Sequence, residues 1–459
     1  MPHRILRQQI ARPVLEICKE LRNAGERAWV VGGCVRDTLR GERVNDWDVA
    51  TTARPDKVQQ VFRRVVPTGV DHGTVTVLWK GGAYEVTTLR GEGAYSDGRR
   101  PDHVVFVEDI ESDLARRDFT VNAIAYDPVD GRLVDPFDGL TDMRDRVLRA
   151  VGNPRERFQE DGLRILRGAR FVATLEFELE HDTEAAFRGA LDTFRKVSPE
   201  RVREEWLKSM KARAPSRAFE VMRRTGILEV TYPELLEQVG CAQNQWHAYD
   251  VWDHTMRVVD ESEGGPIERV AALLHDVAKP RTRAWSDKTG DWTFYHHEKV
   301  GADMADRWLR DYRFSNQERE LIVSLIRHHL ICYSSEWTDA AVRRFIKRVG
   351  AENVEPLLRL GEADALGKGR DVDPELRALR ELRSRIDKAI EEGNALTTQD
   401  LAVSGADVLE YVESPGPIVG QILRTLLDRV LDDPSLNTRD KLLPLIEQLS
   451  KGDTQPLQK

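Results

Sequence analysis

Apolar positions near the start of the chain recur at helical spacing. Val14, Leu15, Ile17, Cys18 and Leu21 share one face of a helix predicted over 13–24, and Gly25 stops it. The pattern then changes. Residues 28–31 form an apolar run too short for a helix, read as a strand entering Gly32-Gly33, with a second helix starting near Cys34. Residues 47–50 give a second strand. Residues 75–80 and 83–88 flank Gly81-Gly82 and predict a hairpin. The stretch GEGAYSDGRRPDH (91–103) has no periodicity and reads as a loop. From about residue 141 the 3.6-residue period dominates, with helices predicted at 157–173, 200–212, 252–261, 267–278, 298–311, 316–330 and 338–348. A Trp-rich turn (284–293) interrupts them. The charge-dense segment 374–392 reads as a solvated linker helix, amphipathic helices follow over 398–450, and the tail KGDTQPLQK is expected to fray. The predicted fold class is α+β: a small head with a mixed β-sheet, then a long all-α body.

Length changes this picture little: 459 residues exceed one ordinary core and imply several domains. Charge narrows the function. Lys and Arg number 69 against 78 Asp and Glu, a formal net charge of -9, which excludes a uniformly cationic nucleic-acid coat but permits a local basic cleft. Four scattered cysteines (Cys18, Cys34, Cys241, Cys332) argue against a disulfide framework or a Cys-rich zinc site and for a reducing compartment. No run approaches the ~20 apolar residues of a membrane span, and the N-terminus has no signal-peptide core. A cytoplasmic protein without a membrane partner is expected.

Candidate chemistry begins at the head. Gly32-Gly33 at a strand-to-helix turn lets backbone amides approach a phosphate, although most such turns are only turns. Asp46 and Asp48, read as i and i+2 of one strand, point to one face, where two carboxylates repel unless a cation sits between them. Oxygen ligands suit Mg²⁺, which binds through one or two carboxylates plus substrate phosphates. Glu85 on the hairpin is a candidate third acid. Metals held this way activate a 3′-hydroxyl and stabilise leaving pyrophosphate. Taken alone, the Asp-Trp-Asp triplet is more often a solvated strand edge.

Its company changes that balance. GGCVRDTLRGERVNDWDVATTARPDKV (32–58) is followed in order by HGTVTV (72–77), YEVTTLR (84–90), DGRRPD (97–102), ARRDFTVNAIAYD (115–127), LVDPFDG (133–139) and RFQEDGLRILRGARF (157–171). The set resembles the class II branch of the nucleotidyltransferase superfamily, which holds tRNA CCA-adding enzymes and bacterial poly(A) polymerases. The resemblance implies that Asp46 and Asp48 are the metal-binding catalytic pair and Glu85 the third acid. It implies that Gly33 and Arg36 contact the triphosphate, that Arg117 and Asp118 meet phosphates and ribose, and that Arg167 and Arg170 also contact the nucleotide. Asp161 and Arg164, three apart on the helix predicted over 157–173, would share a face. A carboxylate accepts from an exocyclic amino group and a guanidinium donates to ring acceptors. Such a pair takes cytosine and adenine and rejects guanine and uracil, which present a carbonyl instead. The plain alternative is a surface ion pair. Arg99, Arg100, Arg116, Arg144, Arg146, Arg149, Arg155 and Arg157 enrich the region in positive charge.

A second constellation lies in the helical body. His254, His275-Asp276, His296-His297, His328-His329 and Asp364 resemble the HD metal-dependent phosphohydrolase pattern, whose motif maps to His254, His275, Asp276 and Asp364. Imidazole plus carboxylate suits a divalent transition metal, whose bound water attacks a phosphate ester. His297 and His328 are candidates for a second metal, while His296 and His329 read as ordinary core or surface residues. Segment 398–447 resembles the C-terminal part of class II CCA-adding enzymes, whose neck, body and tail hold the tRNA acceptor end and T arm. The expected domains are a head (1–148), a base- and RNA-binding neck (149–225), an HD domain (226–370) and a tRNA-binding tail (371–459). The expected activity is template-independent addition of CCA, or its C or A part, to tRNA from CTP and ATP. Poly(A) synthesis and a mainly HD-type phosphodiesterase or phosphatase stand as alternatives.

Overall fold

A computed structural model describes residue 6 and residues 8–91, 105–393, 395–412 and 414–451. Arg99, Arg100, the 97–102 motif and the tail after 451 lie outside the described residues. The chain divides into two compact units, residues 1–236 and 237–459.

The first unit is built on a seven-stranded mixed sheet, ordered β3-β4-β5-β2-β1-β6-β7. The strands are β1 (Ala28–Val31), β2 (Asp48–Thr51), β3 (Val65–Gly69), β4 (Thr74–Trp79), β5 (Gly82–Thr88), β6 (Ala125–Asp127) and β7 (Arg132–Val134). β1 is apolar throughout because both of its faces are covered. Ala28 and Val30 pack with Val14, Ile17, Cys18 and Leu21 of the helix Arg12–Asn23, while Trp29 and Val31 join a second cluster with Ile110 and Leu114. The β4–β5 hairpin turns on Lys80 and Gly81, both at positive φ (47° and 84°), the geometry that suits a two-residue connection. Unlike the other pairings in this sheet, β2 and β5 run parallel, with Asp48 directly opposite Glu85.

Helices follow from Pro154. The single helix expected over 157–173 is two, Pro154–Glu160 and Leu163–Leu175. Asp161 between them is extended (φ -142°, ψ 105°). A Cβ on Gly162 would collide with the backbone of Thr193 and Phe194, so a segment thirty residues away packs closely at the break.

The second unit is helical apart from a small hairpin, Ala284–Ser286 with Asp291–Thr293, in place of the Trp-rich turn. Helices Val251–Glu261, Pro266–Leu274, Asn316–His328 and Ala351–Gly367 pack on one another. The helix Asp373–Glu391 is not a solvated linker. It buries Leu379, Leu382, Ile386 and Ala389, spaced for one face. The last helices, Pro417–Asp432 and Arg439–Ser450, close their own core around Leu426, Val430, Leu442 and Ile446. Among the described residues, no helix is long and apolar enough to cross a membrane.

Candidate active site and metal centre

A cavity of about 790 Å³ opens in the first unit, lined by the residues expected to bind metal and nucleotide there: Gly33, Arg36, Asp46, Asp48, Glu85, Arg117, Asp118, Asp161, Arg164, Arg167 and Arg170. Asp48 begins β2 and faces its register partner Glu85. Asp46 lies before the strand in irregular chain, so the two aspartates are not i and i+2 of one strand as expected. Parallel pairing of β2 with β5 supplies the second strand-borne carboxylate instead. Asp48 is open to the cavity by surface area, yet protein crowds it. That loss of solvation raises its carboxyl above the ordinary value; Glu85 and Asp46 push the same way and Arg117 opposes them. Three acids in one cavity, with one carboxyl already pushed toward protonation, form an environment suited to a divalent cation.

Of the two glycines, Gly32 acts as a spacer. Gly32 has φ +78°, and a Cβ there would meet Arg117 Nη1 at 2.6 Å. Side chains of the next helix and of the 115–122 turn then interlock: Arg36 donates to both oxygens of Asp37 at 2.8 Å and to Asn122 Oδ1. Asp118 accepts from Phe119 N (2.9 Å), Asn122 Nδ2 (3.0 Å) and Arg167 Nε (2.8 Å). Burial alone would raise the Asp118 carboxyl, but Arg167 and these hydrogen bonds hold it well below the usual carboxylate range.

Asp161 and Arg164, the pair expected to read the base, are arranged differently from the expected i,i+3 face. Because the chain breaks at 161–162, Asp161 is bound by Arg201 (Oδ2 to Nη2, 2.8 Å) and caps Leu163 N at 3.0 Å. Arg164 is held by Glu160 Oε2 (2.6 Å), Arg157 O (2.8 Å) and Arg116 O (2.9 Å). Each is fixed by its own partners, and both line the cavity. Sequence reasoning missed Arg201, Lys208, Asn122 and Phe171, which also line it. Arg170 Cζ lies 3.9 Å from the Phe171 ring centroid. No local spacing singles out Arg201 or Lys208 on the helix Pro199–Ser209. Of the remaining arginines named for positive charge, Arg116 lines the cavity, whereas Arg144, Arg149 and Arg157 pair with Asp145, Asp142 and Glu160.

In the second unit, helix ends converge on Asp276. His254 comes from the helix Val251–Glu261, His275 caps Pro266–Leu274, His297 opens His297–Asp311, and Asp364 lies in the last turn of Ala351–Gly367. His275 Nε2 is 3.2 Å and His254 Nε2 3.5 Å from Asp276 Oδ2, and both approach Asp364 Oδ1, at 3.5 and 3.0 Å. On the other oxygen, His297 Nε2 lies 3.3 Å and His329 Nε2 3.7 Å from Asp276 Oδ1. The second set is therefore His297 with His329, and His328 is outside it. The helix Asn316–His328 ends two residues before the expected 330, and His329, its cap, turns inward. His275, His297 and His329 each engage a backbone carbonyl three residues back through Nδ1, at 2.6–2.7 Å, which aims Nε2 at Asp276.

Buried polar atoms without a well-aligned hydrogen bond mark this centre: both nitrogens of His254, Nε2 of His275 and both oxygens of Asp276, although charged neighbours such as Lys279 Nζ, 2.6 Å from Asp276 Oδ2, lie close. Such atoms are costly unless something binds them. Burial would depress the His275 imidazolium, but Asp276 and Asp364 push it up to about 10, while burial and the neighbouring His275 and His297 hold His329 down at about 3. The donor set demands positive charge and offers converging lone pairs, which fits a divalent metal.

Known proteins resemble both units of the chain. Residues 28–149 match the poly A polymerase head domain, 176–238 the probable RNA and SrmB-binding site of polymerase A, and 247–410 the HD domain. The CCA-adding enzyme of Levilactobacillus brevis is 33% identical over 442 residues, covering 95% of this chain and 97% of that protein. The chain belongs to the class II CCA-adding enzyme family. The CCA-adding enzyme of Lactobacillus johnsonii is 45% identical over 221 residues, a match spanning 48% of this chain and 55% of that protein. The crystal structure of the Bacillus stearothermophilus CCA-adding enzyme in complex with CTP superposes with a TM-score of 0.72 at 28% identity, covering 96% of this chain and 97% of that one. A family member's nucleotidyltransferase head implies a divalent metal, and here the head is joined to an HD domain with a buried His/Asp cluster.

Proposed function

We propose that this chain completes tRNA 3′ ends by adding CCA from CTP and ATP without a nucleic-acid template, releasing pyrophosphate. The observation that carries this reading is the gathering of three carboxylates, a guanidinium cluster and an Asp/Arg pair around one cavity, in a member of the CCA-adding family. Asp46, Asp48 and Glu85 hold Mg²⁺, which when bound favours the primer 3′-oxygen as nucleophile and offsets charge on the leaving pyrophosphate. Arg36, Arg117 and the Gly33 backbone bind the triphosphate, and Asp118 fixes Arg167 beside it. Asp161 accepts from the amino group of cytosine or adenine, and Arg164 donates to the ring. Arg201 on one side and Glu160 on the other limit their movement, so a base with a carbonyl at that edge leaves buried groups unpaired. The stretch 149–225 carries the base and RNA contacts, and residues 371–459 hold the acceptor end and T arm of the tRNA. The test is purified protein, Mg²⁺, tRNA lacking its CCA end, and each labelled nucleoside triphosphate in turn. CTP and then ATP are expected to enter; uptake of ATP alone into long tails refutes the reading.

The HD domain (226–370) is assigned a second activity, metal-dependent hydrolysis of phosphate esters. Its support is the buried, converging donor set of His254, His275 and Asp276 with Asp364 beside it. A divalent transition metal bound there supplies an activated water. Lys279, 2.6 Å from Asp276 Oδ2, is positioned to neutralise a phosphate. Metal analysis of the wild type against His254→Gln and Asp276→Asn checks the site, and equal metal content in all three rejects it.

A further inference from the structure

On β5, Thr87 lies two residues beyond Glu85 and faces the same side of the sheet, the side that lines the active-site cavity. The antiparallel register of β4 with β5 sets Thr74 opposite Thr87, and Thr74 lines the cavity too. Their hydroxyls are 3.0 Å apart, one donating to the other. Cross-strand threonine pairs commonly do no more than stabilise a sheet, as Thr68 and Thr76 do, also 3.0 Å apart but outside the cavity. The cavity pair has hydrogen-bonding capacity to spare. One proton is shared, so the accepting hydroxyl keeps its own proton with no acceptor among the described residues, and lone pairs stay free beside it. Ala50, the parallel partner of Thr87 on β2, presents only a methyl to the cavity and leaves the space beside the hydroxyls open. Strand order says which substrate reaches them. Gly33 and Arg36, assigned to the triphosphate, follow β1, and Arg117 precedes β6, which pairs with β1. β1 and β6 lie on one side of the Asp48 strand, β5 and β4 on the other. In an in-line displacement the attacking and leaving oxygens sit on opposite sides of the phosphorus. With pyrophosphate toward β1, the attacking 3′-oxygen arrives over β5 and β4.

We infer that Thr74 and Thr87 form a subsite for the 2′-hydroxyl of the terminal ribose of the tRNA, and so let the enzyme tell a ribose end from a deoxyribose end. The inference rests on the CCA-adding reading above and deepens it by naming what holds the last sugar of the primer. A 2′-hydroxyl both donates and accepts, which matches a hydroxyl pair offering one free proton and free lone pairs. It sits on the carbon next to the one that carries the 3′-oxygen, so holding it also aims the nucleophile. The sugar of the incoming nucleotide belongs with its triphosphate, on the β1 side.

The test measures kcat/KM for labelled CTP incorporation by the full-length protein with Mg²⁺. The primer is tRNA lacking its CCA end, prepared with either ribose or 2′-deoxyribose in its last nucleotide. The wild type is expected to use the deoxyribose end about tenfold less well, the loss of about one hydrogen bond. Thr74→Val/Thr87→Val removes both hydroxyls with residues that suit a strand. It should lose about tenfold on the ribose end and nothing on the deoxyribose end, so the two ends become equal while KM for CTP stays constant. The unchanged rate on the deoxyribose end is its own folding control. Thr68→Val deletes the other hydroxyl pair and should keep the wild-type ratio. Equal use of both ends by the wild type overturns the subsite whether or not any variant folds. A tenfold preference that survives in the double variant, or a rise in KM for CTP in place of its loss, overturns it as well. Failure of the wild type to incorporate CTP on either end instead removes the CCA-adding reading itself.

Discussion

Glu205, on the helix Pro199–Ser209, is 2% exposed and holds three cations: Arg170 Nε at 2.5 Å, Lys208 Nζ at 3.1 Å and Arg167 Nη1 at 3.9 Å. Glu205→Gln keeps the volume and removes the charge, leaving Arg170 without the carboxylate it donates to. The side chains of Glu205 and Arg170 are 3% and 12% exposed, so solvent screens the pair little. Removing one partner of a buried ion pair costs about 3–5 kcal/mol, and because the amide still accepts a hydrogen bond we expect about 3. In a unit of this size each kcal/mol moves the melting temperature by about 2–4 °C, so a fall of about 6–12 °C is expected for residues 1–236. The pH dependence follows from the sign of the shift. Burial alone would raise the Glu205 carboxyl, but Arg170, Arg167 and Lys208 hold it below its ordinary value. A depressed carboxyl contributes stability above its unfolded value of about 4.3 and loses it as pH falls through the folded value. The gap between wild type and variant is therefore full at pH 7 and closes below about pH 4. Scanning calorimetry at both pH values reads it. The double variant Glu205→Gln/Arg170→Met is expected to lose less than the sum of the single changes, because neither charge is stranded. Strict additivity, or a gap that persists unchanged at pH 3, refutes the reasoning. Since Arg167 and Arg170 line the active-site cavity, KM for CTP should rise in the single variant.

Three further outcomes are expected. Asp48→Asn should reduce CTP and ATP addition by about a hundredfold or more while tRNA retention on a filter stays at the wild-type level, because only charge stabilisation at the reacting centre is removed. Asp161→Asn presents an N–H where the carboxylate offered a lone pair, so the UTP to CTP incorporation ratio should rise by roughly a hundredfold; a ratio unchanged in single-nucleotide assays would mean Asp161 does not read the base edge. Gly162→Ala places a methyl on the Thr193–Phe194 backbone and should cost at least about 1–3 kcal/mol. Denaturant unfolding measures that cost, and a neutral result would show that the 161–162 break is not set by this contact.

What the sequence determined by itself was whatever short-range spacing controls. The helix Arg12–Asn23, strand β1 running into the glycine turn, the β4–β5 hairpin and the helices around each HD-motif histidine followed from periods of 3.6 and 2. The ordered motifs also picked out eleven head and neck residues that share one cavity. Tertiary structure decided how these residues meet. Asp48 faces Glu85 because two strands distant in the chain run parallel, a pairing no local pattern encodes. Asp161 is partnered by Arg201, forty residues on, at a break in the expected helix where Gly162 packs against Thr193–Phe194. His329 rather than its neighbour His328 reaches Asp276, a choice set by which face of the helix end packs against the centre. Hydrophobic period sets which face of an element is buried, but it leaves open where that element stops and which distant side chain it meets. Those depend on close packing between segments far apart in the chain.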